Sequence, residues 1–223
     1  MTAVLGIFGG TFDPVHCGHL ELARELHEAL ALAAVRFIPA GDPPHRAAPC
    51  ATAEHRLAMV ELAVVQHPGL EVDAREVRRP GRSYTVATLE ELHSEAPERP
   101  LALIVGADAF LSLPTWYRWR DLFSLAHLIV VARPGVAFEP SFSEVLGEEW
   151  ARRFANDSSA LTTKPAGVII RQPITAHPIS ASAIRRELAR GAAGINAVRG
   201  LLPAAVLAYI DRNQLYRSRP DET

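Results

Sequence analysis

Lysine and cysteine are almost absent from this chain of 223 residues. Its single lysine is Lys164, and its two cysteines are Cys17 and Cys50. Two thiols are too few for a disulfide framework or a zinc site, and a cytoplasmic setting keeps them reduced. With one lysine available, a bound anion must be met mainly by arginine, histidine, backbone N–H groups or a metal ion.

A strong net charge and long apolar runs are also missing. The formal net charge is -2, which gives no general attraction to nucleic acid or to an anionic membrane. No apolar run approaches the about 20 residues that a transmembrane helix needs, and the chain opens on a strand-like run rather than on a signal peptide. We therefore expect a cytoplasmic protein that has neither nucleic acid nor a membrane as a partner, and that is a monomer or a homo-oligomer.

Short apolar runs alternate with helical patterns along most of the chain. The runs are almost continuous in Val, Ile and Leu, which is typical of parallel strands buried on both faces. They cover residues 4–8, 35–38, 101–105, 128–131 and 168–170. Apolar residues recur at helical spacing between the runs, so the pattern predicts an α/β fold with a parallel sheet. A closing helix is predicted within residues 203–216.

Residues 134–166 interrupt this alternation. They are richer in Pro, Ser, Glu and Asn and indicate a long surface connection that carries one helix near residues 143–154. We interpret residues 1–217 as a single domain with 134–166 as a variable surface insert, and residues 218–223 as a tail.

Polar motifs follow all five predicted strands. In chain order they are "GGTFDPVHCGH", "AGDPPHR", "GAD", "ARPG" and "HPISASAIR". Ligands of open α/β sheets bind at the carboxyl ends of the strands. We therefore expect the five motifs to form one shared binding site, rather than five unrelated polar loops.

The first of these loops favours a phosphate. Gly9 and Gly10 allow a sharp turn and a close approach of the backbone to a ligand, and the next helix, predicted to begin near His19, offers free N–H groups and a positive dipole end. His16 and His19 add imidazole donors on the same side. The alternatives are a tight turn with histidine caps, or a catalytic thiol at Cys17. A Walker-type loop is excluded, because such a loop ends in Gly-Lys-Ser/Thr and this loop contains no lysine. The G-x-G-x-x-G fingerprint is also absent after the first strand.

The loop "GGTFDPVHCGH" resembles the T/HxGH signature of the nucleotidyltransferase superfamily, and within it the chain is similar to bacterial nicotinate-nucleotide adenylyltransferases over nearly its whole length. A second signature, usually I-S-S/A-T-x-I-R, corresponds to "ISASAIR" at residues 179–185, with Ser182 in place of the usual Thr. "PPHR", "SYT", "TWY", "RPG" and "LLPAAVLAYIDRNQLYR" follow in the family's order. The insert at 134–166 matches poorly.

This resemblance implies a Rossmann-like open parallel sheet with helices on both faces and a small C-terminal helical segment. It also implies that ATP and nicotinate mononucleotide give nicotinate adenine dinucleotide and pyrophosphate, a step of NAD biosynthesis. The mononucleotide phosphate would attack the α-phosphorus of ATP in line, without a covalent enzyme intermediate. Mg²⁺ would arrive with the ATP phosphates and keep several waters, so no protein ligands for a metal are expected.

The resemblance also assigns residues to ATP. His16, His19 and Arg185 would be catalytic, with the histidines near the reacting phosphate and Arg185, in the first turn after residues 180–182, on the β- and γ-phosphates. Ser182 is a candidate N-cap or phosphate contact. Asp108 would bind a ribose hydroxyl, or else only cap a helix. The expected ATP-binding residues are Gly9, Gly10, Thr11, Phe12, His16, Gly18, His19, Asp108, Ile179, Ser180, Ser182 and Arg185.

The second substrate is assigned in the same way. Trp116 resembles the residue that stacks on the pyridine ring, although it could instead be a core residue, as we expect Trp119 and Trp150 to be. Arg133 would bind the mononucleotide phosphate, or else lie on the surface. Backbone N–H groups near Thr85 and Tyr117 would prefer the nicotinate carboxylate over an amide. The expected mononucleotide-binding residues are His45, Tyr84, Thr85, Trp116, Tyr117 and Arg133.

Three other functions compete with this interpretation. The same chemistry could act on nicotinamide mononucleotide or on phosphopantetheine, and the "TWY" and "SYT" segments argue against the second of these. A regulatory module that binds a nucleotide without turnover is disfavoured by the intact His16, His19 and Arg185. A purely structural phosphate-dependent subunit has no positive feature in the sequence. For Arg46, next to His45, a solvated loop is as good an interpretation as a place in the cleft.

Overall fold

The computed structural model describes residues 3–43, 48–132, 139–175 and 178–217. Its strands form one parallel sheet of seven, in the order β3-β2-β1-β4-β5-β7-β6. The strands are β1 (Leu5–Gly10), β2 (Ala34–Pro39), β3 (Leu70–Val72), β4 (Leu101–Gly106), β5 (His127–Ala132), β6 (Phe154–Ala155) and β7 (Ile169–Pro173).

Helices fill the connections between the strands. The α-helices are α1 (Cys17–Ala29), α2 (Ala53–Val64), α3 (Arg75–Arg78), α4 (Thr85–Glu95), α5 (Ala107–Leu111), α6 (Leu122–Leu125), α7 (Glu144–Arg153), α8 (Ala160–Thr163), α9 (Ala181–Leu188), α10 (Ala192–Ala197) and α11 (Ala204–Arg212). Short 3-10 turns occupy Leu113–Thr115, Trp119–Asp121 and Glu139–Ser141. None of the helices described is long and apolar enough to cross a membrane.

The predicted α/β fold is confirmed. The five apolar runs correspond to β1, β2, β4, β5 and β7, and α11 lies within the predicted closing helix. The two strands that the apolar pattern missed, β3 and β6, lie at the two edges of the sheet and have three and two residues. Pairing with longer neighbours, rather than their own sequence, makes these segments strands.

Two apolar clusters cover the two faces of the sheet. One joins residues of α1, α2, α9 and α11, with Leu26, Met59 and Ile210 among its buried members. The other joins residues of α4, α5 and α6, with Leu89 and Phe110 among its buried members. Trp119 and Trp150 belong to or pack against this second cluster, as predicted. Strands covered on both faces explain why their sequences are apolar runs instead of alternating patterns.

The insert contains the predicted helix. α7 begins after its N-cap Ser143 and ends at Arg153. The Trp150 ring lies 5.6 Å from that of Phe110 in α5, so the insert packs on the helix that follows β4. The interpretation of residues 1–217 as a single domain stays a prediction.

The strand order reverses beside β1. β1 pairs with β2 on one side and with β4 on the other, so the connections that leave β1 and β4 run to opposite faces of the sheet. The carboxyl ends of these two strands therefore leave a crevice between them, which is the usual ligand site of open α/β sheets.

Candidate active site

A cleft of about 1250 Å³ lies at this edge of the sheet. Most of the predicted site residues line it, from the loops after β1 and β4, from the start of α4, from the turn before α6 and from α9. Those that line it are Gly9, Gly10, Thr11, Phe12, His19, Tyr84, Thr85, Asp108, Trp116, Tyr117 and Arg185. Those described but absent from its lining are His16, Gly18, Ile179, Ser180 and Ser182. His45, Arg46 and Arg133 lie outside the described residues.

The cleft has two parts with different chemistry. We call the part made by the loop after β1, by Asp108 and by Arg185 the β1-loop half. We call the part made by Tyr84, Thr85, Trp116 and Tyr117 the aromatic half. Arg185 is the only Arg or Lys that lines the cleft within the described residues.

The two glycines of the first loop have different surroundings. A Cβ added to Gly9 would meet nothing within 4 Å, whereas a Cβ on Gly10 would lie 2.9 Å from the ring of Phe12. Gly10 is therefore needed for packing, because Phe12 is a buried core residue at φ +50. Gly9 instead leaves open space at the cleft, which permits close approach of a ligand to the backbone.

The two histidines form one stacked unit. Their ring centroids are 3.7 Å apart, and the edge of Phe12 packs on His19 with centroids at 5.1 Å. The backbone N–H of His16 donates to Nδ1 of His19 at 3.2 Å. The neutral His19 ring therefore carries its proton on Nε2, where it can donate to an anion.

Both histidines are neutral near pH 7 in the free protein. Burial lowers the pKa of His16 to about 4. Burial, and in second place the neighbouring His16, lower the pKa of His19 well below its usual value. The Nδ1 atom of His16 is buried and has no hydrogen-bond partner within the described part of the chain. A buried polar atom without a partner costs folding free energy, so this arrangement is unfavourable for stability alone.

Helix α1 begins earlier than predicted. It starts at Cys17 with His16 as N-cap, and not near His19. The Cys17 N–H donates to the Leu201 carbonyl and the His19 N–H to the His16 carbonyl, both at 2.9 Å. These two N–H groups are therefore not free for a phosphate, which corrects that part of the prediction. The alternative of histidine caps is thus correct in part, since His16 is the N-cap and His19 accepts its backbone N–H as in a capping box.

Helix α9 also differs from the prediction in detail. Its N-cap is Ser180, and Ser182 is its second helical residue, so Ser182 is not the cap. The two serine hydroxyls are 2.8 Å apart. Ile179 before the cap and Ile184 after it belong to the same apolar cluster, as in a hydrophobic staple. Arg185 is the fifth helical residue and lies on the second turn rather than the first.

Arg185 is held by the first loop. Its Nη1 donates to the backbone carbonyl of Asp13 at 2.6 Å and lies 3.8 Å from the Asp13 carboxylate. Its side chain is partly exposed and lines the cleft. The guanidinium thus connects α9 to the loop after β1, and its remaining donors are available to an anion.

Asp108 is exposed at the mouth of the β1-loop half. It is the second residue of α5, and the N-cap of that helix is Gly106. The alternative that Asp108 is only a helix cap is therefore wrong. Its carboxylate can accept hydrogen bonds from a hydroxyl-bearing ligand.

The aromatic half is open and lies against a helix N-terminus. The rings of Tyr84 and Tyr117 are 4.7 Å apart, and Tyr117 is 55% exposed. Tyr84 is the N-cap of α4, and no side chain caps the first N–H groups, which begin at Thr85. Trp116 is partly buried against the second apolar cluster and also lines the cleft. Flat aromatic faces beside a positive helix end suit a planar anionic ligand.

Arg56 is a residue that the sequence motifs did not reveal. It is 1% exposed, and its guanidinium donates to the carbonyls of Thr11, Gly41 and Ala51 at 2.8, 3.0 and 3.3 Å. These carbonyls belong to the loop after β1, to the loop after β2 and to the start of α2. One buried side chain thus joins three segments around the cleft. No motif could have identified it, because its partners are backbone carbonyls, two of which are 45 and 15 residues away in sequence.

Glu76 is a buried acid in the wall of the cleft. It accepts from the Thr88 hydroxyl at 2.6 Å, and Arg79 donates to that hydroxyl at 3.0 Å. Burial raises the pKa of the Glu76 carboxyl. This network fixes α3 against α4 below the aromatic half.

Metal ligands are not gathered in the described residues. No group of three or more His, Cys, Asp and Glu side chains there could hold a metal ion. The acids that line the cleft, Asp13, Glu76 and Asp108, come from three separate segments. The described residues thus offer few ligands for a divalent ion, a donor set that fits an ion held mainly by phosphates and waters.

Comparison with known proteins places the chain in a family. The model of the cytidylyltransferase-like family matches residues 7–187. A probable nicotinate-nucleotide adenylyltransferase of Dechloromonas aromatica is 48% identical over 98% of this chain and 100% of that protein. One of Acidithiobacillus ferrooxidans is 47% identical over 96% of each chain.

Solved structures agree in fold. The nicotinic acid mononucleotide adenylyltransferase of Plasmodium falciparum, complexed with NaAD, matches with a TM-score of 0.69 at 16% identity, over 96% of this chain and 97% of that one. At this low sequence identity, the match supports a shared fold and nothing further. The sequence relatives are close and aligned almost end to end, and this chain therefore belongs to the nicotinate-nucleotide adenylyltransferase family of cytidylyltransferase-like nucleotidyltransferases.

Proposed function

We propose that the chain transfers the adenylyl group of ATP to nicotinate mononucleotide, which gives nicotinate adenine dinucleotide and pyrophosphate in NAD biosynthesis. This proposal rests on one observation, that two chemically different half-sites lie in the same cleft. His19 and Arg185 line one half, and Tyr84, Thr85, Trp116 and Tyr117 line the other. Two bound polyanions that react with each other need such a shared space.

The reaction needs no general base. The mononucleotide phosphate has a second pKa of about 6 and is already an anion at neutral pH. The protein has to align the two substrates and to stabilise charge on the α-phosphoryl group and on the leaving pyrophosphate. A neutral His19 that donates from Nε2 suits this task, since it supplies a fixed hydrogen bond to the phosphate that carries the developing charge.

The triphosphate would lie along the β1-loop half. Gly9 leaves room for it, His19 would contact it near the α-phosphate, and Arg185 would bind the β- and γ-phosphates at the N-terminal part of α9. His16 would act from behind His19, through the stacked pair. Asp108 would accept hydrogen bonds from a ribose hydroxyl of the adenosine.

Magnesium would enter as part of the ATP substrate. Divalent ions commonly bridge the phosphates in such reactions and neutralise their charge. The lack of a metal-holding cluster within the described residues supports an ion bound by phosphates and waters.

The nicotinate ring would lie in the aromatic half. Trp116 would stack on it, and the N–H groups at the start of α4, near Thr85, would donate hydrogen bonds to its carboxylate. The N–H group of an amide ligand would face the backbone N–H groups of the protein, and donors on both sides would lack an acceptor. This disfavours nicotinamide mononucleotide. His45 and Arg133 remain proposed contacts of the mononucleotide and its phosphate.

Pyrophosphate release tests the proposal. Purified protein is given ATP and Mg²⁺ with nicotinate mononucleotide, and in parallel with nicotinamide mononucleotide or phosphopantetheine. We expect strong release with the acid mononucleotide alone. Equal rates with acid and amide would contradict the acid preference, and release with phosphopantetheine alone would overturn the proposed acceptor.

A further inference from the structure

The C-terminal segment reaches the first loop. Tyr216, which follows α11, donates its hydroxyl to Oδ1 of Asp13 at 2.7 Å across a separation of 203 residues. Leu215 and Tyr216 pack against the apolar cluster that contains α1 and α2. Tyr216 has φ +62, a left-handed conformation that is unfavourable for a residue with a Cβ. The surrounding packing therefore holds the segment in this place.

Asp13 is the centre of a hydrogen-bond network. Its carboxylate accepts from the backbone N–H groups of Cys50 at 2.8 Å and Ala51 at 3.2 Å, as well as from Tyr216. Asp13 is only 6% exposed. A buried carboxylate needs several donors, and the loss of one leaves the remaining charge poorly compensated.

Arg185 is the cation closest to this carboxylate. Within the described residues no other Lys, Arg or His side chain lies within 4.0 Å of it, and Arg185 Nη1 is 3.8 Å away. The same Nη1 donates to the backbone carbonyl of Asp13 at 2.6 Å. Because other donors satisfy the carboxylate, the ion pair between Arg185 and Asp13 stays long at 3.8 Å, and the shortest bond of the guanidinium is to the Asp13 carbonyl.

We propose that Tyr216 is a positioning residue for the triphosphate, acting through Asp13 on Arg185, a role that rests on the proposed function of this cleft. By supplying a donor to Asp13, Tyr216 keeps Arg185 available to the β- and γ-phosphates. Without the hydroxyl, Arg185 turns toward the carboxylate and is withdrawn from the substrate. A tyrosine hydroxyl with its ordinary pKa of about 10 is a protonated donor throughout the neutral range, and burial raises the pKa of Tyr216 further.

The test compares two conservative variants of the C-terminal segment. Y216F removes the hydroxyl and keeps the ring. Y209F is the matched control, because the Tyr209 hydroxyl lies 2.9 Å from Nδ1 of His55, between α11 and α2 and away from Asp13. For Y216F we expect KM for ATP to rise roughly tenfold, as is typical for the loss of a hydrogen bond to a charged group. We expect KM for nicotinate mononucleotide to stay unchanged in Y216F. Y209F should have the wild-type KM for both substrates.

A double-mutant cycle separates positioning from general destabilisation. ATP binding is measured by titration calorimetry on wild type, Y216F, R185A and Y216F/R185A. If Tyr216 acts through Arg185, Y216F weakens binding in the wild type and adds little in the R185A background. Partial misfolding would lower the binding stoichiometry and would leave the affinity of the folded fraction unaltered.

Several results would overturn the inference. They are an ATP affinity of Y216F equal to that of Y209F, a rise in KM for both substrates alike, or additive losses in the cycle. A wild type that binds ATP but does not turn over nicotinate mononucleotide refutes the proposed acceptor, while the calorimetric cycle still decides the role of Tyr216. Failure of the wild type to bind ATP would refute both.

Discussion

The β1-loop half of the cleft is anchored by buried polar groups, whereas the segment of the aromatic half that carries Trp116 and Tyr117 rests on short turns and exposed side chains. Asp13 and Arg56 are 6% and 1% exposed, and each makes several hydrogen bonds. Near the aromatic half, Arg118 holds its turn by ion pairs with Glu90 and Asp121 that are more than 40% exposed. Such surface pairs contribute little to stability.

This difference separates the demands of the two substrates. Charge that develops during phosphoryl transfer has to meet fixed donors, because a donor that must reorganise loses much of its effect. A planar acceptor needs area and a few N–H groups, which exposed rings and a helix end provide. The first half is therefore expected to control the rate of reaction, and the second the affinity for the acceptor.

Substitution of Arg56 should have the largest effect on the anchoring of the first half. Arg56→Met leaves three carbonyls without their donor, and we expect the free energy of unfolding to fall by roughly 3–5 kcal/mol. The control is Arg36→Met, which removes a partly exposed pair with Glu71 and should cost less than about 1 kcal/mol. Denaturant unfolding measures both, and equal losses would mean that the buried guanidinium does not anchor the loops.

Substitution of His19 should affect the rate next most strongly. His19→Ala removes a donor to the reacting phosphate, and we expect kcat to fall by about 10²–10³-fold, or about 3–4 kcal/mol. His27→Ala, at the other end of α1, is the control and should keep the wild-type rate. Steady-state pyrophosphate release gives both values, and an unchanged kcat in His19→Ala would remove the histidine from the chemistry.

The stability of the first half should depend on pH in a defined direction. Because burial lowers the pKa of His16 from 6.5 to about 4 in the folded state, the unfolded chain binds a proton first as the pH falls. The neutral His16 therefore makes its full contribution to the free energy of unfolding above about pH 6.5. Between about pH 6.5 and 4 this free energy falls by up to about 3 kcal/mol. Unfolding of wild type and His16→Gln over this range should show a shallower slope for the variant. Identical slopes would contradict a neutral buried His16.

Substitution of Trp116 should have the smallest effect of the four, confined to the aromatic half. Trp116→Ala removes a stacking face worth about 1 kcal/mol beyond burial, so we expect KM for nicotinate mononucleotide to rise about fivefold. KM for ATP in the same assay is the internal control and should not change. Equal rises in both would show that the two halves are not independent.

The sequence predicted the parts of the fold that have a local signal. The five long strands and the major helices follow from apolar runs and periodicity. The strands β3 and β6 are too short to produce a recognisable apolar run. Many residues of the motifs share a cleft. From the sequence, Ser182 is a candidate N-cap or phosphate contact, whereas the structure makes Ser180 the cap of α9. The pattern does not separate them, because two serines so close in sequence offer the same capping hydroxyl. Arg56 and Tyr216 could not be predicted, since they act on backbone or side-chain atoms brought near only by folding.

The most direct test of adenylyl transfer in this cleft follows the phosphorus atoms of ATP. ATP labelled at the α-phosphate, and separately at the γ-phosphate, is incubated with Mg²⁺, nicotinate mononucleotide and either wild type or His19→Ala. We expect wild type to transfer the α-label to the dinucleotide in equal amount to the pyrophosphate released. The γ-label should leave with pyrophosphate, and His19→Ala should slow both together. Free AMP or inorganic phosphate as the labelled product would show hydrolysis and would contradict adenylyl transfer in this cleft.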